Sequence, residues 1–300
     1  MDTRILYGKE VAEAVKDRLK QRIAVCKENG VWPGLAVVLV GEDPASAVYV
    51  RNKARNCEEL GVFSETLRLP ADTEQSELNS LIDDLNRDER FHGILVQLPL
   101  PRHLSDSEII HRILPEKDVD GFHPVNIGRM ILGEDAFLPC TPAGIIEMLK
   151  YYKIETNGKH AVIVGRSNIV GKPMANLMYR KSAQGNATVT ICHTGTPDIK
   201  YHTLQADILI VAAGVPEMIR GDMIKKGATV IDVGVNRIED NSRKKGYRLV
   251  GDVAFKESKE QCEAITPVPG GVGLMTIAML MANTVKAAEN KMSTMKEHGK

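Results

Sequence analysis

One predicted helix in the first part of the chain carries side chains that could do chemistry. At spacings of three, four and four residues it presents a hydroxyl, a phenol, an ammonium group and a thiol, which belong to Ser46, Tyr49, Lys53 and Cys57. Residues at these spacings share one face of a helix, the face that is usually buried. The helix is predicted to start at Pro44 after the N-cap Asp43, and to end at Gly61 in a left-handed conformation.

Spacing alone leaves two interpretations of Tyr49 and Lys53. A lysine can extend over the edge of a tyrosine at a solvated surface without binding any ligand. In a partly desolvated cleft, burial would instead lower the pKa of Lys53 and allow it to exchange protons near neutral pH. The pair is therefore a candidate acid/base unit.

Two later segments could complete such a site. Gln97 lies at the carboxyl end of the predicted strand in GILVQLPLP, and open parallel sheets bind ligands at that end of their strands. The prolines that follow stop the chain from covering the crevice. In PEKDVDGFHP, Asp118 and Asp120 precede a glycine turn. An aspartate before glycine often serves the turn alone, which we expect of Asp118 but not of Asp120.

A third feature is the segment AVIVGRSNIVGKPMANLM at residues 161–178, which predicts a strand, a turn and a helix in that order. It is similar to the loop G-x-G-x-x-G, whose second glycine lets the backbone approach a pyrophosphate. Here that position is Ser167, and Arg166 precedes it. The segment therefore indicates a nucleotide fold with an altered loop.

Composition limits the classes of partner. The 39 Lys and Arg residues balance the 39 Asp and Glu residues, which argues against a nucleic-acid or anionic-membrane surface and favours small molecules. The five cysteines are scattered and lack C-x-x-C spacing, and the histidines show no ligand spacing, so neither a disulfide framework nor a metal site is predicted. No signal-peptide or membrane-span pattern is found, and we expect a cytoplasmic protein.

Short apolar segments alternate with helical patterns along the chain. The predicted strands lie in residues 34–41, 91–101, 160–165, 187–192, 206–214 and 227–234. Because their apolar runs are nearly continuous rather than alternating, they indicate parallel sheets that are covered on both faces. The predicted fold class is α/β, with two α/β units, the second a Rossmann-type doubly wound parallel sheet, and a cleft between them. The Gly-, Pro- and Asp-rich residues 120–142 mark the boundary.

Together these segments resemble the bifunctional methylenetetrahydrofolate dehydrogenase/methenyltetrahydrofolate cyclohydrolase family over essentially the whole chain. Seven ordered motifs carry the resemblance: S-x-x-Y-x-x-x-K-x-x-x-C-x-x-x-G at 46–61, GILVQLPLP, PEKDVDG at 115–121, PCTP, VGRSNIVGKP, DVGVNR, and TPVPGGVG at 266–273. The chain departs from the family pattern at three positions. Thr194 replaces a frequent serine, Gly195 stands where some members have a basic residue, and Leu274 replaces the usual proline.

The resemblance implies NADP-dependent oxidation of 5,10-methylenetetrahydrofolate to 5,10-methenyltetrahydrofolate, followed by hydrolysis to 10-formyltetrahydrofolate. These reactions belong to one-carbon metabolism, which serves purine, methionine and histidine biosynthesis. By the same resemblance Lys53 transfers protons in the hydrolysis, Tyr49 packs and orients, Gln97 tunes the lysine, and Asp120 hydrogen-bonds the pterin. The implied folate-binding residues are Tyr49, Lys53, Gln97, Leu98, Pro99, Asp120, Pro269, Gly270 and Gly271.

The resemblance also implies that NADP is the cofactor. The implied cofactor-binding residues are Gly165, Arg166, Ser167, Ile169, Thr194, Gly214, Val235 and Thr276. Arg166 is expected to pair with the 2′-phosphate. The sequence supports this independently, because the strand ATVTIC is followed by His193 and Thr194 rather than by the acid that an NAD site favours.

The boundary stretch divides the chain into two domains, and the resemblance implies their ligands and the assembly. Residues 1–139 are expected to form the folate-binding catalytic domain, joined by a C-terminal helix at 274–300, and residues 140–273 the NADP-binding domain. A homodimer is expected. Two rival functions stay open: an NADP-dependent reductase of a small carbonyl substrate, which would bind no pterin, and a non-enzymatic dinucleotide-sensing module, which would not need the polar helix face.

Overall fold

The structure is a computed structural model that describes residues 2–243 and 246–298. The strands, in chain order, are β1 (Arg4–Ile5), β2 (Gly34–Val40), β3 (Phe63–Leu69), β4 (Gly93–Val96), β5 (His160–Val164), β6 (Thr188–Cys192), β7 (Ile208–Val211), β8 (Thr229–Asp232), β9 (Asn236–Glu239), β10 (Tyr247–Val250) and β11 (Ala264–Ile265). The α-helices are α1 (Gly8–Glu28), α2 (Pro44–Leu60), α3 (Gln75–Arg87), α4 (Asp106–Arg112), α5 (Pro124–Leu132), α6 (Cys140–Tyr151), α7 (Gly171–Tyr179), α8 (Ile199–Thr203), α9 (Phe255–Ser258) and α10 (Gly273–His298).

The chain divides into two compact units, which we name by their main sheets. The three-stranded unit consists of Ala14–Leu138 and the residues from Ile277 onward. The six-stranded unit consists of the N-terminal residues through Glu13 together with Pro139–Thr276. Two of the boundaries fall inside helices, one in α1 and one in α10.

The three-stranded unit is built on parallel strands in the order β3, β2, β4. The central strand β2 is buried along its whole length, as its continuous apolar sequence predicts. Leu78, Ile82 and Leu85 recur at helical spacing on α3 and pack into one core cluster with Ala36 and Val38 of β2. This core supports the carboxyl ends of β2 and β4, where the sequence predicts a site.

The six-stranded unit has parallel strands in the order β1, β11, β8, β7, β5, β6, and a separate antiparallel hairpin of β9 and β10. The chain runs from β5 to β6 on one side and then returns to β7 on the other side of β5. The direction of strand order therefore reverses between β5 and β7, which makes this a doubly wound sheet with a topological switch point. The predicted α/β class is confirmed.

All six predicted strand segments form strands, and the strands that were not predicted are short or polar. β3 (FSETLRL) lies at a sheet edge, and none of its residues is fully buried. β1 and β11 have two residues each, and they pair with one another through Arg4 opposite Ala264. This pairing places the first residues in the six-stranded unit, whereas the sequence pattern assigned them to the first domain.

Three further features bear on the sequence predictions. The predicted boundary stretch 120–142 contains α5, whose first turn is capped by His123 Nδ1 accepting from the Val125 N–H at 3.1 Å. All five cysteines are buried, and none of them is in a disulfide bond. Among the described residues, no helix combines the length and the apolar character needed to cross a membrane.

Candidate active site

Helix α2 begins and ends as its sequence predicts. The Asp43 carboxylate accepts a hydrogen bond from the Ser46 N–H at 2.7 Å, and Pro44 occupies the first turn. Gly61 ends the helix at φ 70°, and its N–H bonds to the Glu58 carbonyl at 3.1 Å. These caps fix the residues at which the helix begins and ends, so Ser46, Tyr49, Lys53 and Cys57 all lie within it.

The predicted polar face is graded in exposure rather than uniformly buried. Ser46 and Cys57 are buried and Lys53 is partly buried, but Tyr49 is 48% exposed. The expectation of a buried stripe is therefore wrong for Tyr49. Cys57 packs with its Sγ 3.5 Å from Met281 Sδ on α10, and burial raises the pKa of its thiol to about 11. Cys57 thus stays protonated at neutral pH and serves packing.

Lys53 and Gln97 meet although 44 residues separate them. The Lys53 ammonium group donates to Gln97 Oε1 at 2.9 Å, and Gln97 Nε2 donates to the Leu98 carbonyl at 2.7 Å. The second bond decides which end of the amide faces the lysine. The backbone N–H of Gln97 donates to the Val38 carbonyl at 2.9 Å, which ties the pair to β2. The Leu98–Pro99 peptide bond that follows is cis.

The loop that carries Asp120 is organised around the buried carboxylate of Asp118. Its oxygens accept from the N–H groups of Gly121 and Phe122, each at 3.2 Å, from the His123 N–H at 2.8 Å, and from the Asn126 side chain at 2.9 Å. Burial raises the pKa of Asp118 to about 6. The prediction that Asp118 serves the turn is confirmed.

Asp120 itself is partly exposed and lies beside the end of β4. An isolated parallel bridge pairs Ile94 of β4 with Asp118. Asp120 then lines a cavity of about 20 Å³ together with Leu98 and Phe122. Asp120 therefore lines the same cavity as Leu98, the residue whose carbonyl orients Gln97.

Sequence analysis missed one side chain that holds this loop. Asn283 of α10 is buried, and its Nδ2 donates to the Val119 carbonyl at 2.8 Å and to the Leu138 carbonyl at 3.0 Å. The available signal was an asparagine within the apolar run MLMANTV, since a buried amide needs partners.

In the six-stranded unit, the altered loop after β5 depends on its two outer glycines. Gly165 has φ 125°, and a Cβ there would lie 2.2 Å from the Ala212 carbonyl oxygen. A Cβ on Gly171 would lie 2.2 Å from the Gly165 carbonyl oxygen. In place of the middle glycine, the Ser167 hydroxyl accepts from the N–H groups of Val170 at 3.1 Å and Gly171 at 3.4 Å. Ser167 thus stabilises the turn into α7.

The loops after β5 and β7 flank the topological switch point, where open α/β sheets bind ligands. Arg166 and Ile169 are exposed in the first loop, and Gly214 is exposed in the second at φ 69°. The absence of a Cβ at Gly165 allows these loops to approach closely. The strand–turn–helix geometry and this glycine-lined cradle fit a dinucleotide.

The remaining predicted residues of this unit lie after β8, in the turn before α10, and in the first turn of α10. Val235 is exposed after β8, and Thr276 shares a hydroxyl hydrogen bond of 2.9 Å with Thr141. The Gly270 carbonyl accepts from the Gly8 N–H at 2.8 Å. A Cβ on Gly8 would lie 2.1 Å from the Gly271 carbonyl oxygen, so the turn that carries Pro269 packs directly on the start of α1.

Both parts of the chain match models of known protein families. Residues 6–120 match the catalytic domain of tetrahydrofolate dehydrogenase/cyclohydrolase, and residues 139–292 match the NAD(P)-binding domain of the same family. The chain belongs to the tetrahydrofolate dehydrogenase/cyclohydrolase family. The resemblance found in the sequence is confirmed, and the family's NAD(P)-binding domain contains the glycine cradle.

Individual relatives in this family are similar along nearly their whole length. The bifunctional protein FolD of Chloroherpeton thalassium is 58% identical over 289 residues, which cover 95% of this chain and 98% of the relative. A crystal structure of the bifunctional FolD dehydrogenase/cyclohydrolase from Campylobacter jejuni is 49% identical, with a TM-score of 0.91, and covers 96% and 99% of the two chains. The Trypanosoma brucei enzyme, solved in complex with NADP cofactor and an inhibitor, is 38% identical with a TM-score of 0.91, and covers 97% and 99%.

The positions that depart from the tetrahydrofolate dehydrogenase/cyclohydrolase pattern are accommodated locally. The Gly195 N–H donates to His193 Nδ1 at 3.0 Å, and the His193 N–H donates to Thr196 Oγ1 at 2.9 Å. These bonds hold the turn after β6 and leave Thr194 exposed. Leu274, in the place of the usual proline, lies exposed in the first turn of α10, which still begins at Gly273.

Proposed function

We propose that this chain is a bifunctional enzyme that oxidises 5,10-methylenetetrahydrofolate with NADP⁺ and hydrolyses the resulting 5,10-methenyltetrahydrofolate to 10-formyltetrahydrofolate. The observation that carries the proposal is the hydrogen bond of 2.9 Å between Lys53 and the oriented amide of Gln97. Family membership supports the same activity, since the relatives named above are bifunctional dehydrogenase/cyclohydrolases.

The oxidation moves a hydride and no proton, so it needs positioning more than a base. NADP⁺, when bound, accepts the hydride of the substrate's methylene carbon. Asp120 is positioned by the Asp118 turn and provides a carboxylate that can accept hydrogen bonds from the pterin N–H groups. Tyr49, with its ring half exposed, offers a surface on which the folate ring can pack.

The hydrolysis requires a proton acceptor and a proton donor. The water oxygen forms a bond to the cationic methenyl carbon while Lys53, as the neutral amine, accepts a proton from that water. The hydroxyl of the adduct then becomes the formyl carbonyl. The bond from that carbon to N5 breaks, and N5 receives a proton from the Lys53 ammonium group. One proton is released overall, and the formyl group stays on N10.

Gln97 controls the direction in which Lys53 presents its nitrogen. The Gln97 amide cannot rotate freely, because its Nε2 is bound to the Leu98 carbonyl. Its Oε1 therefore accepts one N–H of Lys53 and fixes the direction of that bond.

Arg166 and Thr194 are the residues proposed to recognise the 2′-phosphate of NADP⁺. Both are exposed, and they follow the neighbouring parallel strands β5 and β6 at the same edge of the sheet. The turn after β6 contributes His193 and Thr194 where an NAD site favours an acid, so no carboxylate at that position repels the phosphate.

We also propose that the enzyme works as a homodimer in the cytoplasm, as the family resemblance implies. Sedimentation equilibrium over a range of protein concentrations tests the assembly. A monomer at all concentrations would contradict it.

The function is tested by two assays on the purified chain. We expect reduction of NADP⁺ that depends on methylenetetrahydrofolate and is faster than reduction of NAD⁺. We also expect hydrolysis of added methenyltetrahydrofolate without any cofactor. Reduction of simple carbonyl substrates by NADPH without folate turnover would instead support the rival reductase. Binding of NADP⁺ with neither folate activity would support the sensing module.

A further inference from the structure

Two carboxylates with no predicted role lie buried behind the loop that follows β7. Asp252 is fully buried, and its Oδ2 accepts from the N–H groups of Ala213 at 2.7 Å and Gly214 at 2.8 Å. Its Oδ1 accepts from the Asn236 side chain at 2.8 Å. One side chain therefore holds two successive backbone N–H groups of a loop at the dinucleotide crevice.

Asp252 is held in turn by the second carboxylate. Asp232 Oδ1 accepts from the Asp252 N–H at 2.9 Å and from the Gly234 N–H at 3.0 Å, and its Oδ2 accepts from the Val253 N–H at 3.0 Å. The Asp232 N–H donates to the Thr266 hydroxyl at 2.7 Å. The backbone of Asp252 therefore has little freedom to move.

Two glycines make room for these carboxylates. A Cβ on Gly251 would lie 1.7 Å from Asp232 Oδ2, and a Cβ on Gly234 would lie 2.2 Å from Asp252 Oδ1. Any larger residue at either position would displace a carboxylate. The arrangement is close-packed, so Asp252 cannot shift, and its hydrogen bonds hold the loop after β7 in place.

The loop that Asp252 holds is adjacent to the altered glycine loop. Ala212, one residue before the first held N–H, has its carbonyl 2.2 Å from where a Gly165 Cβ would be. A shift of Ala212 would therefore move against Gly165 and alter the turn that leads to Arg166. The positions of both loops therefore depend on the hydrogen bonds from the Ala213 and Gly214 N–H groups to Asp252.

Hydrogen bonds, rather than an ion pair, compensate the burial of the Asp252 side chain. Among residues 2–243 and 246–298, the partners found for the Asp252 carboxylate are N–H groups, with no cation within ion-pair distance. A buried carboxylate is costly unless several hydrogen bonds compensate it. The Oδ2 acceptor thereby sets a backbone geometry that an apolar side chain could not set.

We infer that Asp252 is a positioning residue for the dinucleotide cofactor, and that Asp232 holds it in place. It does not touch the cofactor. It fixes the backbone of partly buried Ala213 and exposed Gly214, so that the crevice between the loops after β5 and β7 stays shaped for NADP⁺. This inference rests on the proposed use of NADP⁺.

The test compares cofactor binding with an activity that needs no cofactor. In Asp252→Asn one acceptor oxygen becomes a donor, and in Asp252→Ala both acceptors are lost. We expect the Kd for NADP⁺, measured by calorimetry, to rise about 10-fold or more, and further in the alanine variant. Hydrolysis of added methenyltetrahydrofolate should stay close to wild type, which a generally disrupted protein would not achieve.

A control and a second variant keep the test decisive. Asp222→Asn removes an exposed carboxylate of the same unit, paired with Lys200, and should change neither measurement. If both Asp252 variants fail to fold, Asn236→Ala removes only the partner of Oδ1 and should weaken NADP⁺ binding with hydrolysis preserved. A folded Asp252→Asn, or failing that Asn236→Ala, with wild-type affinity overturns the inference.

The outcomes separate this inference from the proposed function. If wild-type protein binds no NADP⁺, the cofactor assignment and the role of Asp252 are both wrong. If wild type binds NADP⁺ but lacks both folate activities, the proposed function fails. Calorimetry of the Asp252 variants then still decides the positioning role.

Discussion

Gln97 accepts a hydrogen bond from Lys53 at 2.9 Å while its own amide nitrogen is bound to the Leu98 carbonyl at 2.7 Å. The lysine is thus presented by a side chain that is itself held by the backbone at the end of β4. This relationship distinguishes the two proposed activities, because only the hydrolysis needs the lysine nitrogen to move a proton.

Lys53→Met tests that distinction. Methionine keeps much of the apolar stem and removes the nitrogen, so α2 should stay folded. Loss of general acid/base catalysis typically costs about 10²–10⁴-fold, and we expect methenyltetrahydrofolate hydrolysis to fall by that range. The dehydrogenase should fall less, since no proton moves in hydride transfer. Both rates are measured on one preparation with circular dichroism as the folding control. Hydrolysis near the wild-type rate would remove Lys53 from the mechanism.

Arg166→Ala tests recognition of the 2′-phosphate. Loss of a charged hydrogen-bond partner should weaken NADP⁺ binding by about 1.5–3 kcal/mol, whereas NAD⁺ binding should hardly change because it lacks that phosphate. Titration calorimetry with both cofactors measures the effect. Arg180→Ala, at the C-terminal end of α7, is the matched control and should leave both affinities unchanged. An equal loss for both cofactors would show that Arg166 is structural.

A pair of substitutions in one loop separates Asp118 from Asp120. Asp118→Asn replaces an acceptor oxygen by an NH₂ group that faces N–H donors, so we expect a loss of about 1–3 kcal/mol in unfolding free energy. Asp120→Asn, at a partly exposed position, should weaken folate binding and leave stability within about 0.5 kcal/mol of wild type. Thermal denaturation and folate titration of both variants measure this. Equal stability losses would contradict the assignment.

The buried carboxylate of Asp232 should make stability depend on pH. Burial raises its pKa from 3.8 to about 7, so the folded state binds the proton more tightly than the unfolded state. The stability that protonated Asp232 contributes to the folded state is fully present below pH 3.8 and is lost as the pH rises towards 7. Between pH 5 and 7, Asp232→Asn should therefore gain stability relative to wild type as the pH rises.

Calorimetric melting of wild type and Asp232→Asn across that range measures the difference. Two histidines, His92 and His123, have pKa values lowered by burial and act in the opposite direction. They are common to both proteins, so the comparison cancels them. A difference in melting temperature that is independent of pH would contradict the prediction.

The α/β class and most of the parallel strands followed from the sequence because their signals are local. Continuous apolar runs such as GLAVVLV, rich in β-branched residues, are typical of strands buried on both faces. The caps of α2, at Asp43 and Gly61, are equally local, since each satisfies backbone groups within one turn. The ordered motifs identified the family for the same reason, because each motif is a short run of neighbouring residues.

Tertiary structure decided which groups meet across long stretches of chain. The bond between Lys53 and Gln97 spans 44 residues of the sequence. The bond from Asn283 to the Val119 carbonyl spans 164 residues, and the bond from the Ala213 N–H to Asp252 spans 39. No periodicity encodes such a pairing. It exists because helices and strand ends that are distant in the chain pack together in the fold, where buried N–H and C=O groups must find partners.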